Sequence, residues 1–311
     1  MSTMIKMVRS FAAVAAVAIA TPVFAAGNAP HIEREQWSFS GPFGFYDRGQ
    51  LQRGFKVYRE VCASCHGLKQ VSFRNLAEDG GPSFTEDQAK QIASEYTVID
   101  GPNDDGDMYE RPGILADKFP SPFPNEQAAR ASNGGAYPPD FSLLAKARAA
   151  HRGFPWFVFD AFTQYQEQGP DYIYALLTSY PEENPACLGE DFTGNYNPAF
   201  LGGSVTAEAC AHEHLTGGPI GMASPLSDEL VEYTDGTPMT VDQYAHDVAA
   251  FMMWAAEPHL EERKKIGFRV MIFLIVFAGM LYFTKKKLWR NVEHGRIERG
   301  IVKVGDEIEI V

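Results

Sequence analysis

The sequence predicts a mainly α-helical fold with long loop insertions, at most a small β-hairpin, and one C-terminal transmembrane helix. Three observations carry that expectation. Apolar residues recur at helical spacing behind capping residues in several segments, and no long alternating pattern argues for a sheet. The 28 glycines and 20 prolines of the 311 residues cluster between those segments. Residues 266–283 are an apolar run with a single charge, Arg269, near its start.

Taken in order, residues 1–25 read as a signal peptide. Lys6 and Arg9 precede a short apolar centre, and small residues around Ala25 and Ala26 supply a cleavage site. The exported body is expected over residues 26–262. Residues 47–61 predict a helix capped by Asp47, with Leu51, Phe55, Tyr58 and Cys62 on one face. Thr85 and Gln88 form a capping box opening a helix to about residue 98, and residues 99–124 read as a long loop. Asn125 caps a short helix through Arg130; residues 140–150, 157–168 and 171–178 look helical. Residues 181–225 are a Gly/Pro-rich loop, and Glu229 to Tyr233 with the turn Asp235-Gly236 predict a small hairpin. Thr240 and Gln243 form a second capping box, opening a helix that stops before Pro258.

The apolar run at 266–283 reaches about 27 Å as a helix, enough to cross a thin hydrocarbon core. Lys285, Lys286, Lys287 and Arg290 follow it and favour a cytoplasmic end, so residues 284–311 become a short cytoplasmic tail. Residues 27–262 hold 14 Lys/Arg against 35 Asp/Glu, whereas residues 263–311 hold 11 against 5. So acidic a body repels nucleic acid and favours a basic protein partner. Cys187 and Cys210 stand apart from any motif; in an oxidising space outside the membrane they are expected to pair, the alternatives being free thiols or a metal site near His212 and His214.

Cys62-Ala63-Ser64-Cys65-His66 is C-x-x-C-H, the attachment motif of a c-type haem. Two thiols at this spacing bond to two vinyl groups on one edge of the ring, and the adjacent imidazole reaches the iron. The body is therefore expected to be a c-type cytochrome domain with one covalently bound haem c and a role in electron transport. A second axial ligand must come from elsewhere. Met252 and Met253 sit on a helix as core residues, His212 and His214 lie beside the cysteine pair, and Met222 lies between glycines and prolines that let a loop approach a haem face.

Beyond the motif, the chain resembles the cytochrome c1 family, the membrane-anchored haem subunits of the cytochrome bc1 complex (ubiquinol–cytochrome c reductase), in its bacterial form. The likeness rests on residues 62–66 together with RPG at 111–113, FPSPFP at 119–124, AARA at 128–131, NGGAYPPD at 133–140, IGMA at 220–223, DGTP at 235–238 and WAAEP at 254–258. The resemblance implies Met222 as the second iron ligand, Arg130 near a haem propionate, and Tyr137, Pro138 and Pro139 beside the haem. It implies a bacterial inner membrane with the haem domain on its periplasmic side. It also implies partners: cytochrome b and the Rieske iron–sulfur protein within the complex, and a soluble or membrane-anchored cytochrome c as acceptor. On that reading the subunit relays electrons and has no catalytic residues of its own. Asp104, Asp105, Asp107, Glu182 and Glu183 are candidates for the surface that meets the acceptor.

Overall fold

The computed structural model describes residues 30–149, 155–163, 165, 168–189, 191–205, 210, 215–298, 302–304 and 307–309. The signal-peptide expectation, together with His212 and His214, lies outside the described residues. The described residues fall into two compact units, one from 34–174 with 226–309 and the other from 30–33 with 175–225.

In the larger unit, α1 runs Arg48–Glu60, its start closed by the Asp47 carboxylate accepting from the Gln50 amide at 3.0 Å. A 3-10 turn at Cys62–Ser64 follows directly. The helix α2 (Glu86–Ser94) opens on the expected box: Thr85 Oγ1 accepts from the Gln88 amide, and Gln88 Oε1 accepts from the Thr85 amide. It ends before residue 98, because Thr97–Asp100 (β1) pairs antiparallel with Tyr109–Pro112 (β2). Part of the expected 99–124 loop is thus a hairpin, which suits the β-branched Thr97, Val98 and Ile99. The Arg111 guanidinium ties this hairpin to the next turn, donating to Asp100 and, at 2.6 and 3.0 Å, to both oxygens of Asp117.

Asn125 caps α3 (Glu126–Ser132) by accepting from the Ala128 amide at 2.8 Å. The expected 140–150 helix shrinks to α4 (Leu144–Ala147), since Asp140 accepts from Ser142 and Lys69 amides instead of extending the coil. Next come α5 (Trp156–Thr163), exposing Trp156, Phe157 and Phe159, and α6 (Gln168–Thr178). In the smaller unit, Asn195–Asn197 (β3) pairs antiparallel with Gly218–Ile220 (β4), two short strands inside the segment expected to be loop throughout. Cys187 and Cys210 are disulfide-bonded there, with Cα atoms 5.2 Å apart.

The core of the larger unit is built by α7 (Val241–Ala256) crossing α1. At the crossing a Cβ on Gly54 would lie 2.1 Å from the Asp247 carbonyl oxygen, so only glycine allows the approach. Leu51, Phe55 and Tyr58 of α1 are buried, and the Phe251 ring of α7 lies 5.7 Å by centroid from Phe55 and from Tyr58. Met252 and Met253 are buried core residues, as their helical spacing predicts. Thr240 caps α7, but Gln243 turns away from the reciprocal bond and donates to Asp247 at 2.9 Å. The expected hairpin at 229–233 is absent among the described residues. Glu229 takes a left-handed φ of 60° and its amide bonds to the Met239 carbonyl, which spends the segment on a loop closure.

The last long element, α8, spans Leu260–Glu298. Its stretch Leu260–Arg290 is long and apolar enough to cross a membrane, and its side chains from Val270 to Ile275 are all exposed. Beyond it, Val302–Val304 (β5) pairs with Glu307–Glu309 (β6).

Two tests follow. Replacing Cys187 and Cys210 together with alanine should lower stability by roughly 3 kcal/mol in the chain-entropy picture of a loop this size. Denaturation of the purified protein measures it; an unchanged midpoint would mean the bridge constrains nothing. The second concerns acid. Hydrogen bonding to Arg111 holds the Asp100 and Asp117 carboxyls below their ordinary value of 3.8. A depressed folded-state value stabilises above the unfolded value and is lost as pH falls below it. Acid titration of Arg111→Met should therefore show a shallower loss of stability below about pH 4 than the parent; identical slopes would refute the assignment.

Candidate functional site

The site begins where α1 stops. Val61 closes the helix, its amide bonding to the Val57 carbonyl at 3.0 Å, and the chain then tightens: the Cys62 carbonyl accepts both the Cys65 amide at 3.1 Å and the His66 amide at 2.9 Å. Cys62 and Cys65 are free thiols, each half-buried. Burial, with a smaller effect from Cys65, pushes the Cys62 thiol up to about 12, so in the bare protein it is a neutral thiol.

His66 is held by a segment far away in the chain. Its Nδ1 lies 2.7 Å from the Pro139 carbonyl oxygen. A carbonyl only accepts, so Nδ1 carries the proton and Nε2 keeps its lone pair, the tautomer that a metal ligand needs. Burial lowers the imidazole pKa from 6.5 despite that bond, which keeps the ring neutral. The ring stacks on Phe141 with centroids 4.2 Å apart, and the Tyr58 hydroxyl donates to the His66 carbonyl at 3.1 Å.

Three further bonds zip the strand of chain after His66 to the Pro139 segment: Phe141 amide to Gly67 carbonyl at 2.8 Å, Lys69 amide to Asp140 at 3.0 Å, and Gln70 amide to Ser142 Oγ at 2.9 Å. Ring position and tautomer are thus set by residues 139–142. The sequence by itself gives Tyr58, Asp140 and Phe141 no role at this site. The available signal was the Pro138-Pro139 pair, which cannot donate and leaves its carbonyls for other partners.

Arg130 lies on α3 with Glu126, which accepts from its Nε at 2.8 Å. It also donates to the Gly135 carbonyl at 3.0 Å and sits over the Tyr137 ring at 5.6 Å. Arg130 and Tyr137 are therefore brought together.

Met222 belongs to the smaller unit. It follows β4 and is half-buried, and its carbonyl accepts from the Tyr180 hydroxyl at 3.0 Å. Gly217, at φ +72°, immediately precedes the strand; a Cβ there would lie 2.1 Å from the Asn197 carbonyl oxygen. Buried Asn197 in turn donates to the Leu176 carbonyl at 2.8 Å, and Tyr196 donates to the Thr216 carbonyl at 2.6 Å. The segment leading to Met222 is a fastened one.

Two adjacent unpaired thiols and a neutral imidazole with its Nε2 unprotonated make a donor set that suits a haem of c type. Among the described residues no cluster of three or more His, Cys, Asp or Glu is arranged to hold a bare metal ion.

Comparison with known proteins agrees. Residues 37–292 match the model of the Cytochrome C1 family. The chain is 58% identical over 256 residues to the cytochrome b/c1 of Bradyrhizobium diazoefficiens, covering 82% of this chain and 35% of that protein. It is 46% identical over 298 residues to the cytochrome c1 of Blastochloris viridis, covering 95% and 99% of the two chains. Against the mitochondrial cytochrome c1, heme protein, of Kluyveromyces lactis it is 41% identical over 273 residues, 88% and 81% of the chains. It spans about a third of the length of the Bradyrhizobium protein and nearly all of the Blastochloris one. The chain belongs to the cytochrome c1 family, haem-carrying proteins of electron transport with a C-terminal transmembrane helix.

Proposed function

We propose that this chain is the electron-relay subunit of a bacterial cytochrome bc1 complex, accepting electrons from the Rieske iron–sulfur protein and passing them to a soluble or membrane-anchored cytochrome c. The observation that carries this reading is the His66 tautomer: Nδ1–H is spent on the Pro139 carbonyl at 2.7 Å, one residue after a free Cys65. A bound haem c supplies one-electron redox chemistry at its iron.

Every other part of the task falls to the chain. Cys62 and Cys65 would hold a single haem through their sulfur atoms. His66 and Met222 would be the two protein ligands of its iron, leaving no place there for a small molecule. Arg130 offers a cation to a propionate, at the cost of sharing it with Glu126. No residue does acid–base chemistry of its own. Exposed Asp104, Asp105, Asp107, Glu182 and Glu183 attract a basic cytochrome c.

In topology, residues 1–25 are a signal peptide, 26–262 the periplasmic haem domain, 266–283 the transmembrane helix in the inner membrane, and 284–311 a cytoplasmic tail. Lys285, Lys286, Lys287 and Arg290 after the span are set against Arg263, Lys264 and Lys265 before it, so the signal peptide, more than the charge rule, supports that order.

Mild-detergent extraction of membranes holding the full chain tests the proposal. The chain should copurify with a cytochrome b and an iron–sulfur protein, show one haem c in a redox titration, and bind no carbon monoxide when reduced. Purification without those subunits, or carbon monoxide binding at neutral pH, would overturn it.

A further inference from the structure

The residues just before α1 sort their aromatic rings in two directions. Trp37, Phe39 and Tyr46 are buried, and Phe39 lies 5.4 Å from Trp37 and 5.0 Å from Tyr46 by ring centroid. Between them, Phe43 and Phe45 are 77% and 63% exposed. The backbone that presents this outward pair is locked. The Phe45 amide bonds to the Ser38 carbonyl at 3.1 Å, Gly41 takes a left-handed φ of 68°, and a Cβ on Gly44 would lie 2.2 Å from the Ser40 carbonyl oxygen. Two large apolar side chains held out of the core by a rigid loop need an apolar phase to enter.

The loop is clasped to the base of α8. Lys264 Nζ donates to the Phe39 carbonyl at 2.6 Å and the Gly44 carbonyl at 3.3 Å. Glu261 accepts from the Tyr46 amide at 3.0 Å and from Arg48. The Phe43 ring meets the Phe268 ring edge-on, with centroids 6.0 Å apart. Phe268 is the third residue of the apolar run at 266–283, so Phe43 stands level with the first turn of that run, within about 3 Å of its start along the helix axis. Its exposed surface is thus continuous with the exposed apolar surface of α8. Arg263, Lys264 and Lys265 lie one turn outside that level, where phosphate headgroups lie.

We propose that the loop at residues 41–45 is a lipid-contacting foot: Phe43 and Phe45 enter the headgroup–hydrocarbon boundary beside α8 and set the depth at which the body stands on the membrane. The proposal rests on reading α8 as a membrane span. It commits to lipid as the occupant, because the loop meets α8 at a level where the helix passes from Arg263, Lys264 and Lys265 into a run whose single charge is Arg269, a side chain long enough to reach back to the headgroups.

Photocrosslinking in native membranes separates the outcomes. The full chain carries p-benzoylphenylalanine in place of Phe43 or Phe45, with Leu274, Ile275 and Phe277 as positions on three faces of the span and exposed Leu230 as a solvent comparison. Lipid adducts found by mass spectrometry at 43 and 45 should exceed those at 230 by about tenfold or more, as expected for an aromatic ring at the interface. Protein adducts at 43 and 45 in place of lipid, or yields equal to those at 230, would overturn the foot while lipid adducts at 274, 275 or 277 left the span intact. Lipid adducts at none of those three would overturn the span and the foot together.

Discussion

Replacing Met222 with leucine is expected to lower the midpoint potential of the haem by on the order of 0.1–0.3 V, part of the ~0.8 V range that axial ligation spans. The thioether sulfur favours ferrous iron, and leucine fills similar volume but donates nothing. Attachment should survive, since Cys62 and Cys65 are untouched, so the pyridine haemochrome yield should match the parent. Carbon monoxide should now bind to the reduced protein, and electron exit to cytochrome c should stop. The loop should keep its shape, because the Tyr180 bond goes to the Met222 backbone and Gly217 packs on Asn197 without help from the side chain. A variant with the parent potential and no carbon monoxide binding would remove Met222 from the ligand set.

The second large effect concerns Asp247, which is fully buried on α7. Its carboxylate accepts from Arg53 Nε at 2.8 Å and Nη2 at 3.2 Å, from the Tyr233 hydroxyl at 3.0 Å and from Gln243 at 2.9 Å. Arg53 comes from α1, one residue before the Gly54 crossing, and also reaches Asp235 at 3.0 Å. One carboxylate therefore joins α1, α7 and the 233–235 loop. Asp247→Ala leaves a half-buried guanidinium and a buried phenol short of a partner, and should cost about 3–5 kcal/mol. The neighbouring crossing makes recovery difficult, because the backbones already touch there. Replacing Arg53 and Asp247 together with methionine and leucine should cost less than Asp247→Ala alone, since no charge is then stranded. Chemical denaturation measures both; a single variant within 1 kcal/mol of the parent would show that this network carries little of the stability.

How much was legible beforehand varies from residue to residue. The caps of α1, α2, α3 and α7 were read from Asp47, Thr85, Asn125 and Thr240, and each does accept the amide three residues on. The Cys187–Cys210 pairing is expected from the compartment, with free thiols or a metal site as alternatives, and the disulfide decides between them. The hairpin β1–β2 was hidden by the Gly/Pro/Asp-rich residues around it, and β3–β4 joins residues about twenty apart with no local turn to announce the pairing. The hairpin expected at 229–233 failed for the opposite reason. Its turn signal was sound, but Tyr233 and the 235 carboxylate were recruited by Asp247 and Arg53.

The site divides along the same line. Residues 62–66 stand out in the sequence because haem attachment would demand fixed neighbours along the chain, and a motif of five residues leaves little to folding. A membrane span is legible because hydrocarbon imposes one length and one polarity on it. The Pro139 carbonyl that sets the His66 tautomer, the Phe141 ring stacked against it and the Gly54 crossing beneath leave no periodic trace. Each is a contact between segments brought together by burial of the core, where the partner of a group depends on which helix packs where and not on what stands beside it in the chain.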